Sequence, residues 1–240
     1  MIAPLLAVPR GFSLPSLLAL PRSRVQRDWH GAPLLWGVSW VAACSLDELL
    51  FGGVVEAPAG CDEVTGFQEG LWSRDVLELF VPCRPTTSGV GNAHGKGGGY
   101  LELNLSPTGA WWACLFDGYR ARSPEQPFPC EVRTWSERRE QSWSAALALP
   151  LKPPGVELDL KRLRFCAILG DPRRFLIHGA SPGGTPDFHG QISSPTKRLS
   201  RSAERGPGGE EHAWRTGILT PSVSLIPSWM DRCCPGQKWP

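Results

Sequence analysis

From residue 33 to residue 178 the chain is a succession of short apolar runs with a period of two. In Pro33–Val41 (PLLWGVSWV), Trp36, Val38 and Trp40 alternate with Leu35, Gly37 and Ser39. That alternation is the signature of a strand, whose successive side chains point to opposite faces. The same reading predicts strands at Leu46–Val55, Asp75–Val81, Tyr100–Leu105, Ala110–Phe116, Val132–Trp135, Ser142–Leu149, Leu163–Leu169 and Arg174–His178. Ser106–Gly109 (SPTG) is a hairpin turn, with Pro107 pre-set for the first central position. A helical period is nearly absent; one short turn is expected near Asp159–Leu163. Strands about ten residues apart, separated by turn signals, predict an all-β, antiparallel β-sandwich of jelly-roll type.

Before Pro33 and after His189 the pattern weakens. Residues 1–30 are expected to be a loosely ordered leader, 31–189 the sandwich, and 190–240 a disordered, mildly basic tail. Arg84–Gly99 (RPTTSGVGNAHGKGGG) reads as a low-complexity loop. The first residues are apolar, but Pro4, Pro9 and Pro15 interrupt them and no small-x-small cleavage site follows. No run of about 18 uninterrupted apolar residues is present, so no membrane span is predicted.

Composition narrows the classes. With 41% hydrophobic and 20% charged residues, the chain can bury a core. A net charge of +2 gives no case for nucleic acid or membrane binding. The excess sits in the tail, where Gly190–Pro240 holds seven Lys/Arg against four Asp/Glu. Eight cysteines show neither a CxxC pair nor zinc spacing. Cys114 and Cys166 fall inside apolar strands, where a thiol acts as a small hydrophobe. Reduced thiols and a cytoplasmic location are expected, with secretion the alternative.

The candidate chemistry lies on three successive strands. In YLELNL, Tyr100, Glu102 and Asn104 share one face and Leu101, Leu103 and Leu105 the other. In AWWACLF, Trp111, Ala113 and Leu115 oppose Trp112, Cys114 and Phe116. In DVLELFV both faces are mixed. If these strands pair in order, Glu78 joins Tyr100, Glu102, Asn104 and one of Trp111 or Trp112 on a half-exposed face. Carboxylate, amide and indole are the groups that grip a sugar: the polar groups take hydroxyls and the ring covers the apolar side. The competing structural reading is a solvated outer face, with Glu78 and Glu102 paired to Arg74 or Arg120.

Catalytic constellations are incomplete. Paired carboxylates about 5 to 10 Å apart would suit glycoside hydrolysis, but no signal separates the pKa values of Glu78 and Glu102. Gly179–Gly183 (GASPG) matches GxSxG, yet the residue after Ser181 is Pro182, which has no N–H for an oxyanion hole. Gly95–Lys96 is followed by Gly97 and lacks P-loop spacing. His178 and His189 flank a loop with Asp187, which raises a metal site or, more simply, loop hydrogen bonds. No cofactor is predicted from the residues themselves.

The order GLWSRDVLELF, YLELNLSPTGAWWACLFDGYRAR, WSAALALPL, PDFH resembles the DOMON-like domains related to family 9 carbohydrate-binding modules, nearest to a bacterial group of small stand-alone proteins. The likeness spans about Pro33–His189. It rests on Leu71, Trp72, Asp75, Glu78 and Phe80, then on Asn104, Ser106, Pro107, Gly109, Trp111, Phe116, Asp117, Gly118 and Tyr119, then on Pro186–His189. The resemblance implies a β-sandwich, non-catalytic binding of a sugar or other small polar ligand, and the structural calcium that family 9 modules can carry. The chain departs from the family in its long glycine-heavy loop and in the lack of a recognisable final strand after Gly190. Trp72, Glu78, Tyr100, Glu102, Asn104, Trp111 and Trp112 are the candidate ligand contacts. A protein-interaction or scaffold domain using an exposed sheet or edge is the second expectation, and a glycoside-acting enzyme the third.

Overall fold

The computed structural model describes residues 5–85, 99–124, 126, 128, 130–179 and 181–193. It contains thirteen strands, which fall into two sheets. In chain order they are β1 (Leu5–Ala7), β2 (Ser23–Arg27), β3 (Pro33–Cys44), β4 (Glu48–Val55), β5 (Val76–Pro85), β6 (Gly99–Leu105), β7 (Trp111–Gly118), β8 (Ala121–Arg122), β9 (Arg133–Arg139), β10 (Ser142–Pro150), β11 (Val156–Leu158), β12 (Arg164–Leu169) and β13 (Arg174–Ile177). Two short helices accompany them, α1 (Leu14–Leu17) and α2 (Phe188–Ser193). Each strand predicted by period two is present.

The first sheet runs β1-β3-β4-β10-β9, with β2 beside β3. The second runs β13-β12-β5-β6-β7-β8, with β11 on the end of β5. Every pairing is antiparallel except the parallel β1–β3 contact. The β6–β7 hairpin closes through Ser106–Gly109, where the Gly109 N–H donates to the Ser106 carbonyl at 3.0 Å. Gly109 has a φ of 80°, a conformation glycine adopts without steric cost. The helical turn expected near Asp159 is a single 3-10 turn, Leu160–Arg162, whose Lys161 N–H is capped by the Asp159 carboxylate.

Strand parity places Val38, Trp40, Phe51, Trp143, Leu147 and Leu149 of the first sheet on its inner face. Leu77, Leu79, Leu101, Leu103 and Phe165 belong to the inner face of the second. Trp40 stacks on Phe165 across the gap, with ring centroids 5.0 Å apart and planes 7° from parallel. Phe51 closes on the same ring at 6.1 Å. The sheets approach closely where β4 has no side chain: a Cβ on Gly53 would lie 2.8 Å from Leu77 Cδ1. Burying each large ring contributes about 1.5–3 kcal/mol, so this layer dominates the stability of the sandwich.

One region differs from the sequence expectation. Residues 5–30 are part of the sandwich: β1 and β2 extend the first sheet, and α1 lays Leu14, Leu17 and Leu18 on its outer face against Val41, Leu50 and Ala146. The prolines of this segment interrupt helix without preventing strand, and Pro15 sits at the start of α1, where its missing N–H is not needed. The edge of the second sheet at β13 is met by Asp28 and Trp29; the Trp29 N–H donates to the Phe175 carbonyl at 2.7 Å. The remaining tail, from residue 194 on, and most of the predicted loop 84–99 lie outside the described residues.

Replacing Phe165 by Ala removes the ring that both Trp40 and Phe51 touch. Urea denaturation should show a loss of about 3–5 kcal/mol, the usual cost of a large aromatic cavity.

Candidate functional site

Pairing in the second sheet settles which side chains meet. Glu78 lies opposite Asn104, Phe80 opposite Glu102, Glu102 opposite Cys114, and Asn104 opposite Trp112. Tyr100, Glu102, Asn104, Glu78 and Trp112 therefore share the outer face. Trp111 has the other parity and packs instead against Phe67 and Phe128. Trp72 arrives from a separate element, the 3-10 turn Leu71–Ser73, and sets its ring edge-on to Trp112 with centroids 5.0 Å apart.

This face is covered. Glu78 is 2% exposed, Glu102 5%, and Asn104 and Tyr100 0%. The expected half-exposed or solvated sheet is thus corrected to a buried one. The reason is a third layer: Trp29, Leu71, Ala110 and Phe188 pack over Val76, Phe80, Cys166, Ile168 and Ile177. The expected ion pairs of the two glutamates are absent as well, since Arg74 pairs with Asp62 and Arg120 with Asp187.

The Asn104 side-chain N–H donates to Glu102 Oε1 at 3.2 Å. Glu102 Oε2 and Asn104 Oδ1 are buried with no hydrogen-bond partner among the described residues. Such atoms are uncommon in folded proteins, because each forfeits about 1–3 kcal/mol of hydration. Burial pushes the Glu102 carboxyl up to about 7, against the pull of Asn104, Arg122 and Arg120. Burial, and then the charge of Glu102, holds Glu78 well above the ordinary carboxylate range, with Arg173 offsetting part of it. Two neighbouring acids in a dry layer cannot both ionise cheaply.

The end of this layer is built by α2. Asp187 caps the helix, accepting from the Gly190 N–H at 3.2 Å, and also accepts from the Tyr119 hydroxyl at 2.9 Å and the Arg120 guanidinium at 3.2 Å. His189 Nδ1 lies 2.6 Å from the Tyr100 hydroxyl, and the Arg120 N–H donates to the same hydroxyl at 3.3 Å. Burial raises the Tyr100 pKa and lowers that of His189. Burial thus favours a protonated phenol and a neutral imidazole across this contact, and the other ring nitrogen is Nε2. That nitrogen faces Glu102 Oε2 at 3.7 Å, beyond hydrogen-bond reach. On the other flank the Arg122 guanidinium lies 5.3 Å from the centre of the Trp112 ring and is paired with Glu69 at 2.6 Å.

Several residues singled out in the sequence have structural work. Asp75 accepts from the Gly60 and Gly170 N–H groups, each at 2.7 Å, and so ties two loops to the start of β5. The Ser181 hydroxyl donates to the Asp28 carbonyl at 2.9 Å. His178 faces Trp40 on the inner side, so it does not meet His189. Among the described residues no group of three or more His, Cys, Asp or Glu is arranged to hold a metal ion. The calcium implied by the resemblance therefore finds no donor set there. Arg122, Arg173 and His189 were not among the expected contacts. Their approach comes from β8, the β12–β13 turn and α2, which strand period alone does not bring together.

The architecture is a shared one. A candidate carbohydrate-binding protein from Bacteroides uniformis superposes with a TM-score of 0.55 and 18% identity, over 77% of this chain and 92% of that one. At that identity the likeness is one of fold. A family 9 carbohydrate-binding module from Caldicellulosiruptor kristjanssonii, in complex with cellotriose, gives a TM-score of 0.46 and 9% identity over 75% of this chain and 86% of that one, too low to carry an argument. No family model and no curated protein matches the chain. No helix among the described residues is long and apolar enough to cross a membrane.

The raised Glu102 pKa has a consequence for stability. Between about 4.3 and about 7 the folded protein holds a proton that the unfolded chain has released. Its contribution is full below the unfolded value and is lost as pH rises through about 7. The lowered pKa of His189 acts in the opposite sense just below the ordinary histidine value. Urea titrations at about pH 5 and pH 7.5 should show wild type losing on the order of 1–3 kcal/mol relative to Glu102→Gln over that interval.

Proposed function

We propose that the protein is a non-catalytic binding module for a carbohydrate or a similar hydroxyl-rich small ligand, held on the outer face of the second sheet. The observation that carries this reading is the pair of buried acceptors, Glu102 Oε2 and Asn104 Oδ1, that have no donor within the described chain. Once Glu102 is ionised, above about pH 7, both need hydrogen atoms from outside. Neighbouring ring hydroxyls are spaced to serve two adjacent acceptors, and the half-buried indole of Trp72, packed on Trp112, offers apolar surface nearby. Glu78 adds a protonated carboxyl that can donate in return.

A binding role suits these groups better than catalysis. Glycoside hydrolysis needs one acid held protonated and its partner ionised. Here both carboxyls are buried in one dry layer, where neither is placed to activate a water. The Ser181 hydroxyl is occupied by a backbone carbonyl and has no base beside it. A reducing compartment is part of the same proposal: four of the six described cysteines are buried, where a thiol packs as a small hydrophobe.

Titration calorimetry with glucose, xylose, cellobiose and cellotriose tests the reading. Wild type should bind at least one, with a dissociation constant on the order of micromolar to millimolar. Glu102→Gln puts a donor where an acceptor is needed, and Trp72→Ala removes a half-buried ring beside Trp112; each should weaken binding by about tenfold or more. Absence of binding to any mono- or oligosaccharide sinks the proposal.

A further inference from the structure

The cover over the acceptors consists of two adjacent residues with different anchoring. Phe188 is 7% exposed and wedged among Trp29, Phe80 and Phe175, with ring centroids 5.4, 6.3 and 6.2 Å away. It is an apolar anchor. His189 is open to solvent on one side, with 22% of its side chain exposed. Its imidazole stands over Phe80, Phe116 and Tyr100 at 5.7, 5.1 and 5.8 Å. It shuts water away from Glu102, yet its Nε2 stays 3.7 Å from Oε2. The cover therefore closes on Glu102 and leaves its Oε2 without a hydrogen bond. The rim that holds it, Asp187 with Tyr119 and Arg120, is solvent-exposed on the arginine and tyrosine side, where such contacts are individually weak.

We propose that His189 is a stopper beside Glu102, and that ligand enters by displacing the imidazole while Phe188 stays in place. The inference rests on the reading of this face as the ligand site. It makes His189 a residue that sets affinity by competing with the ligand, rather than by touching it. Gly190, directly after His189, presents no side chain to obstruct the outward swing. The ligand then gains the two unmet acceptors, while the chain gives up the Tyr100–His189 hydrogen bond and the ring contacts of the imidazole.

Cys114 lies opposite Glu102 on the same covered face and reports opening without any ligand. Cys44 belongs to the first sheet and reports global unfolding. Maleimide labelling at each site, read by mass spectrometry, is compared in wild type, His189→Ala and Asp187→Asn, alongside calorimetry with cellotriose and glucose. Cys114 should label about tenfold faster in both variants with Cys44 unchanged, and His189→Ala should bind saccharide about tenfold more tightly than wild type. Unchanged Cys114 labelling, or acceleration of Cys44 in step with it, overturns the stopper. Weaker saccharide binding by His189→Ala overturns it too, because His189 would then be a contact. Faster Cys114 labelling with no saccharide bound by any of the three proteins upholds the cover and overturns the carbohydrate reading instead.

Discussion

A sheet covered on both faces must bury whatever its strands carry, and that constraint governs this protein. The inner face of the second sheet is aliphatic and aromatic and meets the first sheet through Trp40 and Phe165. Its outer face carries Glu78, Glu102 and Asn104 in the middle of an apolar layer. Had that face been open to water, the three would be ordinary surface residues. Under Trp29, Phe188 and His189 they become costly groups whose protonation and hydrogen bonding are set by burial.

Comparable groups elsewhere in the fold show what satisfaction looks like. Asp75 and Asp28 are nearly as buried, and each accepts two backbone N–H groups at 2.7–3.0 Å. They are paired because they hold loops. Glu102 and Asn104 bond one another and leave one acceptor each unmet. Trp40, Trp143 and His178 also bury an unpartnered nitrogen, within the inter-sheet core, where Trp40 and His178 touch. On the outer face the unmet atoms are adjacent, on neighbouring residues of one strand face, beside two indoles and under a residue that reaches solvent. That combination sets the outer face apart from the inter-sheet core.

Much of the fold was legible because strand period is a local property. β3 through β7, β9, β10, β12 and β13 are each written in alternation, and the SPTG turn in its proline and glycine. The grouping of Tyr100, Glu102, Asn104 and Glu78 on one face followed from parity plus pairing in order, and Trp112 rather than Trp111 joined it by the same register. β1, β2, β8 and β11 were missed because they are two to five residues long and gain their stability from the strands they dock on. The leader looked loose for the same reason: its apolar residues cover a sheet made by distant parts of the chain.

By itself, then, the amino-acid order determined the strands, the turn between β6 and β7, and the common face of the two acids, the amide and an indole. Each depends only on side-chain alternation and on neighbours close in the chain. Tertiary structure alone decided that this face is dry, that Trp72 completes it, and that His189 stands over it. Burial is a property of what packs above a residue, and the segments that pack here lie as far apart as Trp29 and Phe188.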